Sequence, residues 1–178
     1  MKELLTERLR LRGWRMDDVP HLAAMNSDPE VMRYVGSGVR TYEDALAEAQ
    51  RLVESQSDQS PRRWAIEERS TGEFHGRVGL LRLDGGEEIE IAYRLARKSW
   101  RRGIATEAAR RMIAYGFDEL GLGKIVAVTS PDNLASQRVL EKLGLERKGT
   151  RTAYGVDGCW YYVLTRADWQ RRRNERTG

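Results

Sequence analysis

The sequence predicts an α/β (α+β) fold: a mixed, mostly antiparallel twisted sheet of about seven strands, flanked by helices, with one parallel β-α-β crossover. Three observations carry this expectation. Residues 64–95 hold three apolar segments separated by short glycine-bearing turns, the pattern of an antiparallel meander. Residues 103–120 present one continuous apolar helical face, and a short β-branched run, Lys124 to Ser130, follows them. A strand placed there should lie parallel to the 87–95 strand through a right-handed crossover.

Taken in order, residues 8–14 alternate polar and apolar as a half-buried strand does. Asp17 and Asp18 offer caps for a short helix through Val19, Leu22, Ala23 and Met25. Asp28-Pro29-Glu30 restarts a helix at Val31, and Thr41 caps another in which Ala45, Leu46, Ala49, Leu52 and Val53 recur at helical spacing. Residues 54–63 read as a polar loop. The meander follows, from Trp64 to Glu68, Phe74 to Leu83 and Glu87 to Leu95. The long helix, with Ala105, Ala108, Ala109, Met112, Ile113, Gly116, Phe117 and Leu120 on its apolar face, ends at Gly121. After the Lys124 strand, a helix from about Asn133 to Leu143 closes at Gly144. Two strands, 145–152 and 158–165, finish the sheet around an Asp157-Gly158 turn.

The chain has 178 residues and 33% charged residues, which suits one domain over 1–166 with a solvated basic tail at 167–178. Arg166, Arg171, Arg172, Arg173 and Arg176, against Asp168 and Glu175, account for most of the net charge of +4. No broad basic face or reading motif accompanies that tail, so nucleic acid is not expected as a partner. No apolar run approaches the ~20 residues that span a bilayer, and no apolar signal region opens the chain, so a cytoplasmic location is expected. Cys159 stands alone and His21 and His75 lie far apart, which leaves neither a disulfide nor a metal site. Cys159 reads as a packed thiol and both histidines as structural or exposed.

The most informative stretch is 94–106. Arg94, Arg97, Lys98, Arg101 and Arg102 fall together without an acid, and Gly103 follows at the start of the long helix. Free N–H groups and the helix dipole attract an anion there, and the glycine permits close approach, so a phosphate-bearing ligand at 101–106 is expected. A plain strand–turn–helix connection with a solvated basic turn is the alternative.

Ile-Glu-Ile-Ala-Tyr-Arg-Leu (89–95), Trp-Arg-Arg-Gly-Ile-Ala-Thr-Glu-Ala (100–108) and Asn-Leu-Ala-Ser-Gln-Arg-Val-Leu-Glu-Lys-Leu-Gly-Leu (133–145) resemble the GNAT superfamily of N-acetyltransferases, and within it the RimJ/RimL-type branch. The resemblance runs from the opening Thr6–Arg12 segment to the last hairpin. It implies acetyl-CoA as donor, a primary amine as acceptor (a small molecule or a protein N-terminus), and direct attack in a ternary complex. It places the family's Gln/Arg-x-x-Gly-x-Gly/Ala signature on Trp100–Ala105, with Trp at the first polar position. Amides of Arg101, Arg102, Gly103, Ile104, Ala105 and Thr106 would then hold the pyrophosphate. Tyr93 and Leu95 would pair through their backbone with the pantetheine arm, Asn133 would contact it, and Ser136 would stand beside the sulfur. A homodimer through the final strands is plausible from the family only.

The chemistry needs a base for the amine, which has a pKa near ~10, donors for the carbonyl oxygen and a donor for the departing thiolate. Glu90, inside an apolar strand, is the candidate base; a solvent-facing or arginine-paired carboxylate is its plainer reading. Tyr154 and Asp157 in the last hairpin offer an alternative. Ser136 is the candidate donor to the thiolate, with helix capping as its plainer reading. Segments 28–40 and 151–160 should shape the acceptor side. A non-catalytic acetyl-CoA-binding regulatory module is the competing reading of the whole chain.

Overall fold

A computed structural model describes residues 2–57 and 62–177. Eight strands form one sheet: β1 (Leu4–Leu5), β2 (Leu9–Arg12), β3 (Arg63–Glu68), β4 (Phe74–Arg82), β5 (Ile89–Leu95), β6 (Lys124–Thr129), β7 (Glu146–Ala153) and β8 (Val156–Thr165). Their spatial order is β1-β2-β3-β4-β5-β6-β8-β7, and only β5 and β6 pair in parallel. The six helices are α1 (Val19–Ser27), α2 (Pro29–Met32), α3 (Tyr42–Glu54), α4 (Ile104–Asp118), α5 (Leu134–Leu143) and α6 (Arg166–Thr177). The strand beyond the expected seven is β1, whose two residues pair with Leu11 and Arg10 and are too few to show any alternation.

Successive side chains on a strand point to opposite faces, so one face of the meander carries Trp64, Ile66, Val78, Leu80, Ile91 and Leu95. That face packs on α4, α5 and α6 in the main core, with Ile104, Ala108, Met112, Ile113 and Phe117 fully or almost fully enclosed. A Cβ on Gly116 would stand 2.9 Å from Ile125 and Leu80 side-chain carbons, which is why the helix can lie so close to the sheet. Leu120, assigned to the apolar face of α4, instead lies past the helix end and is exposed. The opposite face packs at one end on α1 and α3 through Trp14, Leu22, Ala45, Ala65 and Phe74. At its other end Leu83, Val126 and Ala153 make a second apolar cluster.

Local chemistry explains several boundaries. Thr41 caps α3 through a reciprocal pair with Asp44 (Asp44 N–H to Oγ1 at 3.1 Å, Thr41 N–H to Oδ2 at 3.0 Å). The buried Arg12 guanidinium joins Asp18 at 2.7 Å and Glu67 at 2.6 Å, tying β2 to the start of α1 and to β3. Of the loop expected at 54–63, Ser55–Ser57 form a 3-10 turn, Arg63 opens β3, and residues 58–61 lie outside the described residues.

Two expectations about the C-terminal region are corrected. The last hairpin turns at Tyr154-Gly155, not at Asp157-Gly158, which lies within β8. A two-residue hairpin loop with positive φ at both centres matches the twist of its strands, and Tyr154 and Gly155 have φ of 53° and 73°. An aromatic in that conformation costs energy and gives no composition signal. The segment 167–178 is not a frayed tail over its described length: α6 docks Trp169 into the main core, 6.0 Å from Phe117 between ring centroids. Trp169→Ala should therefore cost about 3 kcal/mol, read as a lower denaturation midpoint at unchanged denaturant slope.

Candidate active site

The site begins where the sheet forks. β5 pairs with β4 along its full length, but with β6 only at Glu90↔Val126. The Ala96 amide donates to His75 O and the Leu83 amide to Glu88 O, which turns the even-numbered backbone groups of this segment toward β4. Ile91, Tyr93 and Leu95 therefore face the widening gap beside β6. Past the fork, no strand pairs Tyr93 on that side among the described residues. The Leu95 carbonyl, assigned to the pantetheine arm, already accepts a bond from Trp100 Nε1 at 3.1 Å, which takes one of its two lone pairs. A crevice at the carboxyl ends of parallel strands is a general ligand-binding position in open sheets.

Glu90 stands at the vertex of the fork and is 5% exposed. Burial is the main influence on its carboxyl and pushes it up to about 7, against the hydroxyl of Tyr154 and the charge of Arg63, which pull it down. Tyr154 donates its hydroxyl to Glu90 Oε1, and its amide donates to Asp84 Oδ2 at 3.1 Å. Asp84 itself has a φ of 49°, so two residues in the left-handed region brace one another over the carboxyl. The hairpin is further tied down by Glu88, which joins Lys124 at 2.7 Å, Tyr161 at 2.7 Å and Arg151. Those contacts, Lys124 first, hold the Glu88 carboxyl down at about 2. Asp157, the other alternative named from sequence, accepts from Thr152 Oγ1 at 2.6 Å and has no contact with Glu90.

On the other face of β5 the Tyr93 hydroxyl meets Ser136 Oγ at 3.0 Å. Burial raises the pKa of that phenol. Asn133 caps α5 by accepting the Ser136 amide on Oδ1 at 3.1 Å, so the capping role belongs to Asn133 and the Ser136 hydroxyl is left to Tyr93.

At the start of α4, Gly103 is the N-cap with φ 78°, and Arg101 also has a positive φ of 60°. The amides of Arg101, Arg102, Gly103, Ile104, Ala105 and Thr106 donate to no other described residue, so the expected row of free donors is present. The loop is anchored from behind. Arg8 donates to Arg102 O at 3.1 Å and pairs with Glu107 at 2.7 Å. Buried His75 bridges Ser99 (2.9 Å) and Glu68 (3.0 Å). The five cations of the basic stretch do not act as one patch. Lys98 and Arg102 pair with Glu73, Arg94 turns to the opposite face of the sheet, and Arg97 and Arg101 lack a carboxylate partner among the described residues.

The family model described as an Acetyltransferase (GNAT) domain matches residues 8–146, more than half the chain. The chain belongs to the GNAT acetyltransferase family. It is 35% identical over 153 residues to an uncharacterized N-acetyltransferase, YoaA, of Bacillus subtilis, covering 85% of this chain and 86% of that one. The FsC-acetyl coenzyme A-N(2)-transacetylase of Aspergillus fumigatus is 29% identical over 183 residues, covering 94% of this chain and 78% of the other. A GNAT-family acetyltransferase from Bacillus anthracis superposes with a TM-score of 0.82 at 26% identity, covering 93% of this chain and 99% of that chain.

In this GNAT domain the two segments expected to shape the acceptor side do meet. A Cβ on Gly36 would lie 3.8 Å from the carbonyl of Tyr154, and Tyr34 donates its hydroxyl to Asp132 O at 3.1 Å. Cys159 is buried, donates to Val156 O at 3.5 Å and has its thiol pKa raised by burial, so it is a packed thiol. No group of three or more His, Cys, Asp or Glu suited to a metal ion occurs among the described residues, and no described helix is long and apolar enough to cross a membrane. The reading of the sequence missed Glu48 of α3 and its partner Arg77, and missed Arg63, the two arginines lying in strands on the face of the sheet that carries Glu90. For the two arginines, a charge inside an otherwise apolar strand was the available signal.

Proposed function

We propose that this acetyltransferase moves the acetyl group of acetyl-CoA to a primary amine by direct attack in a ternary complex. The observation that carries the reading is the buried Glu90 carboxyl at the vertex of the β5–β6 fork. The residues present suit the donor: a row of unpaired amides at 101–106, a glycine that keeps the approach open, and an unpaired strand edge at Tyr93. The thioester supplies the electrophilic carbonyl, and the chain supplies the rest. Glu90 accepts the proton that the amine must lose as its nitrogen bonds to the carbonyl carbon and the carbon–sulfur bond breaks. Ser136, in contact with the Tyr93 hydroxyl, is the candidate donor to the leaving sulfur. What supports placement in the RimJ/RimL-like branch is the block at 133–145 together with the opening strand at residues 8–12.

The test is a CoA-release assay over an amine and peptide panel, read against pH. Wild-type activity should rise through pH about 7 as Glu90 ionises. Tyr154→Phe removes the donor that favours the carboxylate, so that inflection should move upward by about one pH unit. Tight acetyl-CoA binding with no release on any amine would instead make the chain a binding module.

A further inference from the structure

The face of the sheet that carries Glu90 also carries three arginines. Arg77 of β4 stands directly opposite Arg94 of β5, and Arg63 of β3 lies in the adjoining row, opposite Gly79 and, through it, Ala92. One carboxylate answers them. Glu48 of α3 pairs with buried Arg77, and Asn26 donates to Glu48 at 3.1 Å. Arg94 finds only a neutral partner, donating to Asn26 Oδ1 at 2.9 Å. The Arg63 guanidinium, with Glu48, Glu90 and Tyr154 acting on it through space, has no hydrogen-bonded partner among the described residues. Enclosure, followed by the nearby Arg77, lowers the pKa of both Arg63 and Arg94, the latter to about 9. Arg63 and Arg94 remain partly exposed beside buried Arg77, so an anion can reach them, and a positive excess only half removed from water is still costly unless an anion offsets it.

Only small residues, Gly79 and Ala92, lie between these cations and Glu90 on this face. At Gly79 the β3 backbone takes the place of a side chain, since a Cβ there would stand 2.3 Å from the Arg62 carbonyl, so Arg63 and β5 approach without a bulky residue between them. Ala92 stays partly exposed although its strand lies inside the sheet. The α1–α3 cluster covers one end of this face and the Leu83–Val126–Ala153 cluster the other, and the polar strip lies between them.

We infer that this strip seats an acceptor whose amine lies at Glu90 and whose carboxylate meets Arg63 and Arg94. The inference rests on the acetyl-transfer reading and names the acceptor class: a small primary amine that also bears a carboxylate. The charge arrangement serves the chemistry twice. It holds the anionic end by charge-assisted hydrogen bonds, and its positive field favours the neutral, attacking form of the amine. A diamine with no anion is disfavoured by the same field.

CoA release by the wild type should be compared for β-alanine and 4-aminobutanoate, for their amides, for 2-aminoethylphosphonate and for putrescine. The carboxylates should exceed their amides in kcat/KM by at least roughly tenfold, with putrescine poorest. Arg63→Met should lower kcat/KM roughly 10- to 100-fold more for the carboxylates than for their amides, mostly through KM; both share the upward move of the Glu90 inflection that loss of the charge brings, and remaining turnover of the amides shows that the variant is folded. Arg63→Lys should restore part of the loss. Equal use of carboxylates and amides by the wild type, or an equal loss on both in Arg63→Met, overturns the inference while leaving acetyl transfer standing. Preference for the phosphonate overturns the carboxylate in favour of a phosphate group. No release with any amine overturns acetyl transfer to amines and this inference with it.

Discussion

Gly103→Val should weaken acetyl-CoA binding by at least ~100-fold in a calorimetric titration, with the fold retained, because two or more charge-assisted bonds from amides to phosphate are lost together. Gly103 holds a φ of 78° at the N-cap of α4, a conformation that a β-branched residue adopts only under strain. Relief of that strain rotates the peptide units whose N–H groups line residues 101–106. A Cβ on Gly103 already stands 3.4 Å from Arg8 Nη2, the side chain that holds the loop from behind. Gly103→Ala provides a graded comparison, with the smaller side chain and a smaller loss. Unchanged affinity in the Val variant would move the phosphate seat elsewhere on the chain.

Glu90→Gln should lower turnover at neutral pH by roughly 10²- to 10⁴-fold, the usual worth of a positioned base, and leave acetyl-CoA affinity nearly untouched. The rise in activity through pH about 7 should disappear with it. Stability should change in the opposite sense. A carboxyl whose folded pKa is raised from 4.5 to about 7 contributes fully below pH 4.5 and loses that contribution as pH climbs through 7. The shift corresponds to a penalty on the order of 3 kcal/mol at pH 8. Gln carries no such charge and can still accept the Tyr154 hydroxyl. The variant should therefore melt higher than wild type above pH 7 and lose the pH dependence that this group causes. A wild-type pH–rate profile retained in Glu90→Gln would remove the residue as the base.

Much of this site is written in local pattern, and the remainder depends on register between distant strands. Glu90 stands out in sequence because it interrupts an apolar strand, and Gly103 because it precedes an amphipathic helix. Thr41 likewise declares itself as a cap through Asp44. Tyr154 could be named as an alternative but not placed against Glu90. That contact depends on a turn whose φ values an aromatic rarely adopts, held by an aspartate 70 residues earlier. Arg63, Arg77 and Arg94 are 14 and 17 residues apart in sequence, and only the pairing of β3, β4 and β5 gathers them. Trp169 hid in a run of arginines whose composition resembles a solvated end, while its indole carries the packing of α6.

The alternation along β5 has an evolutionary consequence. Odd-numbered Tyr93 faces Ser136 and the main core, while even-numbered Glu90 and Arg94 face Tyr154 and the arginine strip. Substitutions on the even positions can retune what enters from one side without touching what the other side holds. A single inserted or deleted residue in 90–94 has no such freedom. It would put Glu90 and Arg94 on opposite faces of the sheet, so that one of the two turned into the apolar core. This strand should therefore drift by exchange of side chains and be closed to changes in length, whereas the turn at residues 70–72 can gain or lose residues at small cost.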